Sequence, residues 1–452
     1  MINNSKKYFQ LIPEKVHQDF SRIENILSPS IKGYSANYLN EIISIVSCHV
    51  RKNEEAAPLQ ITYLKKLVPQ GDKYLKGLIE LGIIQRSEQY IPGKKSYKYN
   101  FTPEYQSKYI SLSLYNAKLI RRIEKVQTDS RKVSGNSIRN HSEQVKYLKK
   151  MTLAPGYDDF ISANYSAGTD QFNSIMGSAT RILNGDIFYS VDSTSGRFHS
   201  NITNMSKGLR PYLRINGEQL VNIDIKNSQP FLSTILLTNP HKVSRMTKNP
   251  AFAMLLQTLK VSLSQDVKKY ISLVISGRLY EYLMMEFCKE GIELTRDETK
   301  KQVLRILFAR NRLPKNVINK KCKSIFKSRF PKVYRIFAQV RGSEKGDKFS
   351  NFKRFAILLQ RIESYLILDM ILKRIHKELP GTIAVTVHDS IMTGILTDNV
   401  ELVCKIMQEE LKNFVGFSPK IKIEGERKEE REIEKLSTVY RQYDATTFVC
   451  AN

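Results

Sequence analysis

Two carboxylates stand in this chain where apolar sequence would exclude them. Asp224 lies in Val221-Asn222-Ile223-Asp224-Ile225, the period-two pattern of a strand with one buried face. Asp389 falls inside a second apolar run, TIAVTVHDSIMTG from Thr382 to Gly394, with His388 beside it. Taken alone, Asp224 reads as an Asp at a strand end facing water. Together, two carboxylates on neighbouring strands make a seat for two divalent cations, which clamp the attacking and leaving oxygens of a phosphoryl transfer. A structural core avoids such a pair, because a desolvated carboxylate is costly. Mg2+ suits the seat, since it binds through one or two carboxylates plus substrate phosphates, and Mn2+ is able to substitute.

Cations and aromatics follow. Arg296, Lys300, Leu304 and Phe308 recur at four-residue steps, which on a helix share one slowly drifting face. Two cations and then an aromatic suit a triphosphate with a base to stack on, although surface helices carry many Arg-x-x-x-Lys pairs. Residues 313–354 hold 13 Lys/Arg against Glu344 and Asp347, interleaved with Phe326, Phe330, Tyr334 and Phe337. That composition reads as a nucleic-acid surface rather than a merely solvated charge run. Gly196-Arg197, His199, Ser200, Asn201, Thr203 and Asn204 crowd donors that could line a groove, where Asn and Arg reach minor-groove acceptors; an ordinary polar loop is the plain alternative.

The whole composition agrees with a polyanion partner: Lys plus Arg is 72 against 44 acidic residues, a surplus of +28. That partner is either nucleic acid or an anionic membrane; the longest apolar runs are too short to span a bilayer and MINNSKKYFQ has no apolar signal core, so nucleic acid is the better partner. The five cysteines lie far apart without Cys-x-x-Cys spacing, as reduced thiols in the cytoplasm would.

These side chains need elements to hold them. Residues 219–225 form a strand, Asn227-Ser228-Gln229-Pro230 breaks it, and Phe231–Leu237 starts a buried helix. A helix over residues 355–373, its apolar face interrupted by Gln360 and Glu363, leads into the Asp389 strand; 400–415 is a closing helix before a charged tail. Near the N-terminus, apolar spacing predicts three helices at 38–46, 61–68 and 74–81, then two strands at 83–90 and 95–101. Three helices and a basic hairpin resemble a winged helix, with Lys94, Lys95 and Lys98 on phosphates; a small protein-docking module is the alternative. The basic segment 119–150 reads equally as a solvated helix face or as an arm along a duplex.

The order of parts resembles the polymerase region of the family A DNA polymerases, a fold shared with the phage-type single-subunit RNA polymerases. The resemblance covers about residues 190–410 and rests on five stretches in order. SGRFHS (195–200) is similar to the family's TGRLSS. DIKNSQPF (224–231) aligns without gaps to DYSQIELR. RDETKKQVLRILF (296–308) matches the fingers helix, LLQRIESYLI (358–367) the template-contacting Gln helix, and VHDS (387–390) the catalytic hairpin. The resemblance implies that Asp224 and Asp389 hold two Mg2+, with the carbonyl of Ile225 as a further ligand. It implies that Arg296 and Lys300 grip the triphosphate, that Lys300 protonates the leaving pyrophosphate, and that Phe308 packs beside the incoming sugar and base. Arg197, Gln360 and His388 would meet the primer-template.

Three departures bear on sugar choice. Ser390 replaces the carboxylate that follows the catalytic Asp, Gln229 stands where a Glu excludes the ribose 2′-OH, and Phe308 replaces a Tyr. Gln229 is still bulky, which favours dNTPs with leaky rejection of rNTPs. No acidic exonuclease pattern precedes the palm.

The expectation is an α+β protein: a right-hand polymerase with an antiparallel palm sheet and helical fingers and thumb, preceded by a winged-helix-like domain. The segments are an extension over 1–34, the winged-helix-like domain over 35–105, a thumb-like region over 106–190, palm over 191–240 and 356–452, and fingers over 241–355. The expected activity is DNA-directed DNA synthesis without proofreading for a plasmid, phage or mobile element. Expected partners are DNA template and primer, dNTPs, and a helicase or small accessory replication protein. The alternatives are a primase or RNA polymerase using rNTPs and, in another class, a non-catalytic DNA-binding replication factor.

Overall fold

The computed structural model of the chain describes residues 8–49, 57–87, 97–133, 141–342, 353–395 and 399–424. It mixes helices and sheets, and divides into two compact units: Met1–Ser190 with His199–Gln219, and Val191–Phe198 with Leu220–Asn452. The boundary runs through the donor-rich segment 191–214.

In the first unit, β1 (Tyr8–Pro13) pairs antiparallel with β5 (Tyr109–Leu114). Tyr8, Leu11 and Ile12 of β1 enter one buried core with Leu39, Ile42, Ile43 and Val46 of the helix Ala36–His49. The segment expected to be a polar extension is therefore integral to this core. Its sequence YFQLIP lacks alternation because five of its six residues are buried.

The helix Ala36–His49 is followed by β2 (Ala57–Pro58), the helices Ile61–Leu67 and Gly71–Glu80, β3 (Ile84–Arg86) and β4 (Lys98–Phe101). The three strands form an antiparallel sheet in the order β2-β4-β3. The helices fall where the spacing predicts them; β2 was not legible in two residues. Lys94 and Lys95 lie outside the described residues. Further on, β6 (Met151–Leu153) pairs with β9 (Leu213–Ile215), after the short strands β7 (Tyr189–Val191) and β8 (Phe198–Ser200).

The second unit is built on an antiparallel sheet. Most of β10 (Glu218–Ile225) belongs to it, flanked on one side by β12 (Ser390–Gly394) and on the other by β13 (Ile421–Glu424), with β11 (Ala384–Val387) outside β12. The expected second strand is thus a hairpin whose two-residue turn is His388-Asp389. Past β10 the chain turns at Asn227, in a left-handed conformation at φ 55°, into the helices Ser228–Ser233 and Ile235–Thr238.

The helix Arg296–Phe308 has the expected limits. Thr295 caps it and exchanges bonds with Glu298 in a capping box, which satisfies two donors that a helix start leaves open. The reading of 313–354 as an aromatic-studded nucleic-acid surface is corrected. Phe326, Phe330 and Phe337 are buried and pack edge-on around Tyr270, at centroid distances of 6.3, 5.5 and 5.9 Å. Two of the cations are buried as well. Lys323 Nζ donates to the carbonyls of Arg310, Asn311 and Arg312, and Arg341 Nη1 to those of Ile306 and Leu307. Arg341 satisfies carbonyls of the last turn of the Arg296 helix, which that end cannot bond internally, and Lys323 those of the loop that follows it.

Candidate active site

Everything in this section lies in the second unit unless stated. Asp224 sits one residue from the end of β10, directly across from Ser390, the residue after Asp389. The register therefore brings the two carboxylates to one edge of the sheet, and both are half-buried. His388 takes φ 58°, the left-handed region where residues other than glycine are uncommon. In two-residue hairpins a positive φ at the first central position usually calls for glycine. Here it falls on His388, and the backbone holds Asp389 at the tip. Ser390 Oγ donates to Asn222 Oδ1 at 2.7 Å, tying the hairpin to the strand that carries Asp224.

Behind this edge lies a carboxylate of a different kind. Glu363, on the helix Arg354–Ser364, is only 2% exposed. Arg197 Nε and Nη2 donate to its Oε1 at 2.9 and 2.6 Å, and Gln229 Nε2 donates to its Oε2. Burial, and after it the negative charge of Asp389, push the Glu363 carboxyl up to about 7 against the pull of Arg197 and Gln229. Two residues expected to touch nucleic acid or the ribose edge are therefore held together by one buried group. Gln229 keeps an amide oxygen buried without a partner, and Asn227 next to the turn has both polar atoms buried and unpartnered. Gln360, one turn before Glu363, is half-buried.

On the helix Arg296–Phe308, Arg296 and Lys300 are both exposed. Arg296 Nε donates to Glu281 Oε1 at 2.6 Å, and its guanidinium lies 5.4 Å from the centre of the Tyr280 ring. Burial raises the Tyr280 phenol, Arg296 lowers it, and Asp389 raises it again, so Tyr280 feels both Arg296 and Asp389. Phe308 is half-buried with its ring edge-on to Phe355 at 6.0 Å, a place in the aromatic core rather than an open stacking face.

In the first unit, Asn204 is exposed, whereas Asn201 is engaged locally. Its Oδ1 accepts from the Phe188 amide at 2.7 Å and its Nδ2 donates to the Asp186 carbonyl at 2.9 Å. As a free minor-groove donor Asn201 is corrected to a residue that braces its own loop.

The donor set can be tested against a metal. No group of three or more His, Cys, Asp or Glu that could hold one occurs among the described residues. Two carboxylates do not make the closed four-ligand site of structural zinc, but they fit Mg2+, which completes its shell with water and substrate phosphate.

Sequence reasoning missed Glu363, Tyr280 and Lys226. For Glu363 the signal was present: a carboxylate on an apolar helix face asks for a buried partner. No sequence signal links Tyr280 to Asp389, because packing alone brings them together.

No family model matches the chain, and no curated protein does. Among solved structures, the POL domain of Pol1 from M. smegmatis in complex with DNA primer-template and dNTP is similar over 52% of this chain and 46% of that one, so the chain spans less than half of that structure's length. The identity is 11% and the TM-score 0.28, a likeness too faint to carry an argument. No helix among the described residues is long and apolar enough to cross a membrane.

Proposed function

We propose that this chain is a template-directed nucleotidyltransferase, most simply a DNA polymerase without proofreading that extends a 3′ end with dNTPs. The observation that carries the reading is the sheet register: it puts Asp224 across from the residue following Asp389, so two half-buried carboxylates share one edge. Asp224, Asp389 and the Ile225 carbonyl would hold two Mg2+, which when bound neutralise charge on the attacking and leaving oxygens.

The chain's own residues do the rest. Arg296 exchanges Glu281 for a phosphate, a charge-assisted contact that its fork geometry favours. Lys300, one turn further on the same exposed face, gives a proton to the leaving pyrophosphate. Glu363 holds Gln229 and Arg197 in place, so that Gln229 meets the 2′ edge of the incoming sugar and Arg197 the end of the primer. His388 fixes the tip that presents Asp389.

The N-terminal order helix-strand-helix-helix-strand-strand supports a winged-helix-like module contacting duplex backbone, and the +28 surplus supports nucleic acid as the partner. A replicative role for a plasmid, phage or mobile element, in the cytoplasm and beside a helicase or small accessory protein, fits a polymerase of this size.

The reading is tested by Mg2+-dependent incorporation on primed and unprimed templates, with dNTPs and rNTPs supplied separately. Extension of the primed template with dNTPs is expected. Synthesis from rNTPs on unprimed template would instead assign a primase, and no incorporation under any condition would leave a DNA-binding factor.

A further inference from the structure

Beyond the carboxylate edge, four cations of the second unit gather on one side of β10. The backbone amide of Lys226, two residues after Asp224, donates to the Lys420 carbonyl at 2.9 Å. Their side chains run past the same point: a Cβ added at Gly277 would lie 3.5 Å from Lys226 Cδ and 3.7 Å from Lys420 Cδ. Lys422 stands directly across from Asp224 in the β10–β13 ladder, and directly opposed residues share a face. Arg296 completes the group.

Two of these charges are balanced and two are not. Arg296 is paired with Glu281, and Lys422 Nζ bonds Glu424 Oε1 at 2.6 Å. Lys226 and Lys420 have no ion pair among the described residues. Like charges held side by side repel, and the half-buried Lys226 also loses hydration. Lys420, Arg296 and Lys422 all lie near enough to act on this one ammonium, with Glu281 opposing them. Asp224, across from Lys422, is the nearest further carboxylate, and a multivalent anion would balance the positive charge that remains at Lys226 and Lys420.

We propose that Lys226 and Lys420, flanked by Lys422 and Arg296, form a seat for an oligophosphate: the triphosphate tail of an incoming nucleotide, or the pyrophosphate it releases. The identity of that oligophosphate rests on the nucleotidyltransferase reading above; the seat itself rests on the cation geometry. It lies beside Asp224, where phosphates held by the seat and a primer 3′ end at the Asp224–Asp389 edge can meet. Lysine suits the task as a compact charge with three rotatable donors, able to follow a phosphate chain.

The test uses the full chain. Sodium tripolyphosphate is titrated calorimetrically in EDTA against wild type, Lys226→Gln, Lys420→Gln, the double variant, Lys226→Arg, and Lys377→Gln as an exposed lysine elsewhere on the same unit. We expect at least tenfold weaker binding in the double variant, a partial loss in each single variant, recovery with Lys226→Arg and no change with Lys377→Gln. Lys420 is exposed, so its single variant keeps the test open should the double variant fail to fold.

Equal affinity in wild type and the double variant, or no binding by wild type, overturns the seat. So does a loss confined to duplex DNA affinity, which would assign these lysines to the nucleic-acid backbone. Incorporation assays separate the two claims. If wild type extends primers and the double variant keeps its KM for dNTP and its tripolyphosphate affinity, the polymerase reading stands and the seat falls. If wild type incorporates nothing yet the double variant loses tripolyphosphate, the seat stands and the polymerase reading falls. A raised KM for dNTP places the triphosphate there; loss of pyrophosphorolysis at unchanged KM places the pyrophosphate.

Discussion

At the sheet edge, Asp224, Asp389 and Lys226 stay partly in solvent, whereas along Val317–Arg341 the fold buries Phe326, Phe330 and Phe337 and two of the cations between them. Both stretches mix charge with apolar residues, and from composition both suggest contact with a phosphate-bearing partner. The difference lies in what each charge can be paired with inside the protein. Lys323 and Arg341 donate to carbonyls of neighbouring segments, which offsets much of the cost of burial, while Arg341 Nη2 is buried without a partner. Asp224 and Asp389 are brought together by the strand register, and no group of three or more His, Cys, Asp or Glu that could hold a metal occurs among the described residues. Interleaved aromatics and cations thus do not mark a nucleic-acid surface. Phe326 and Phe337 lie on the apolar faces of two successive helices and Phe330 at the break between them, and such faces go to the core first.

The aromatic cluster gives the largest expected effect on stability. Phe330→Ala removes a ring that packs against Tyr270, Tyr282 and Phe326, and should lower the free energy of urea unfolding by about 3–5 kcal/mol. A loss under about 1 kcal/mol, together with weaker binding to single-stranded DNA, would return these aromatics to the surface role.

Next in size is a pH effect from Glu363. Its carboxyl is raised from 4.5 to about 7 in the folded chain, so the native state holds the proton more tightly than the unfolded chain does. Its stabilisation is full below about pH 4.5 and is lost as pH rises towards 7, up to about 3 kcal/mol at 1.36 kcal/mol per pH unit. Glu41, half-buried in the other unit and likewise raised to about 7 by desolvation, acts in the same window. In metal-free buffer, Glu363→Gln should therefore flatten about half of the fall in stability between pH 5 and 7. Superimposable pH profiles for wild type and variant would show that Glu363 is ionised at no cost and does not anchor Gln229 and Arg197 as described.

The smallest effect is expected at the fingers helix. Arg296 and Glu281 are 49% and 42% exposed, and an exposed pair contributes under about 1 kcal/mol. Glu281→Gln should leave the melting temperature almost unchanged while lowering KM for the nucleotide, because Arg296 no longer has to leave a carboxylate. An unchanged KM would mean that Arg296 does not meet the triphosphate.

The legible parts of the fold were those with local signals. Alternation marked β10, the four-residue spacing of Arg296, Lys300, Leu304 and Phe308 marked their helix, and the break at Asn227 marked the end of the Asp224 strand. Residues 382–394 read as one apolar strand because no Gly or Asn announces the turn: His388 takes the positive φ instead. β1 was missed because its partner lies about a hundred residues away and its residues are nearly all buried. The two carboxylates were legible as expensive ones within apolar strands. Glu363 and Tyr280, which feel the charge of Asp389, come near it only through helix packing that no short spacing encodes.

The central claim is that Asp224 and Asp389 act together at one edge. It is tested most directly by single-nucleotide incorporation on a primed template with Mg2+, comparing wild type with Asp224→Asn and Asp389→Asn at saturating DNA. The account predicts that wild type extends the primer and that either variant falls to background while its DNA affinity is unchanged. Near-normal extension by either variant would contradict it.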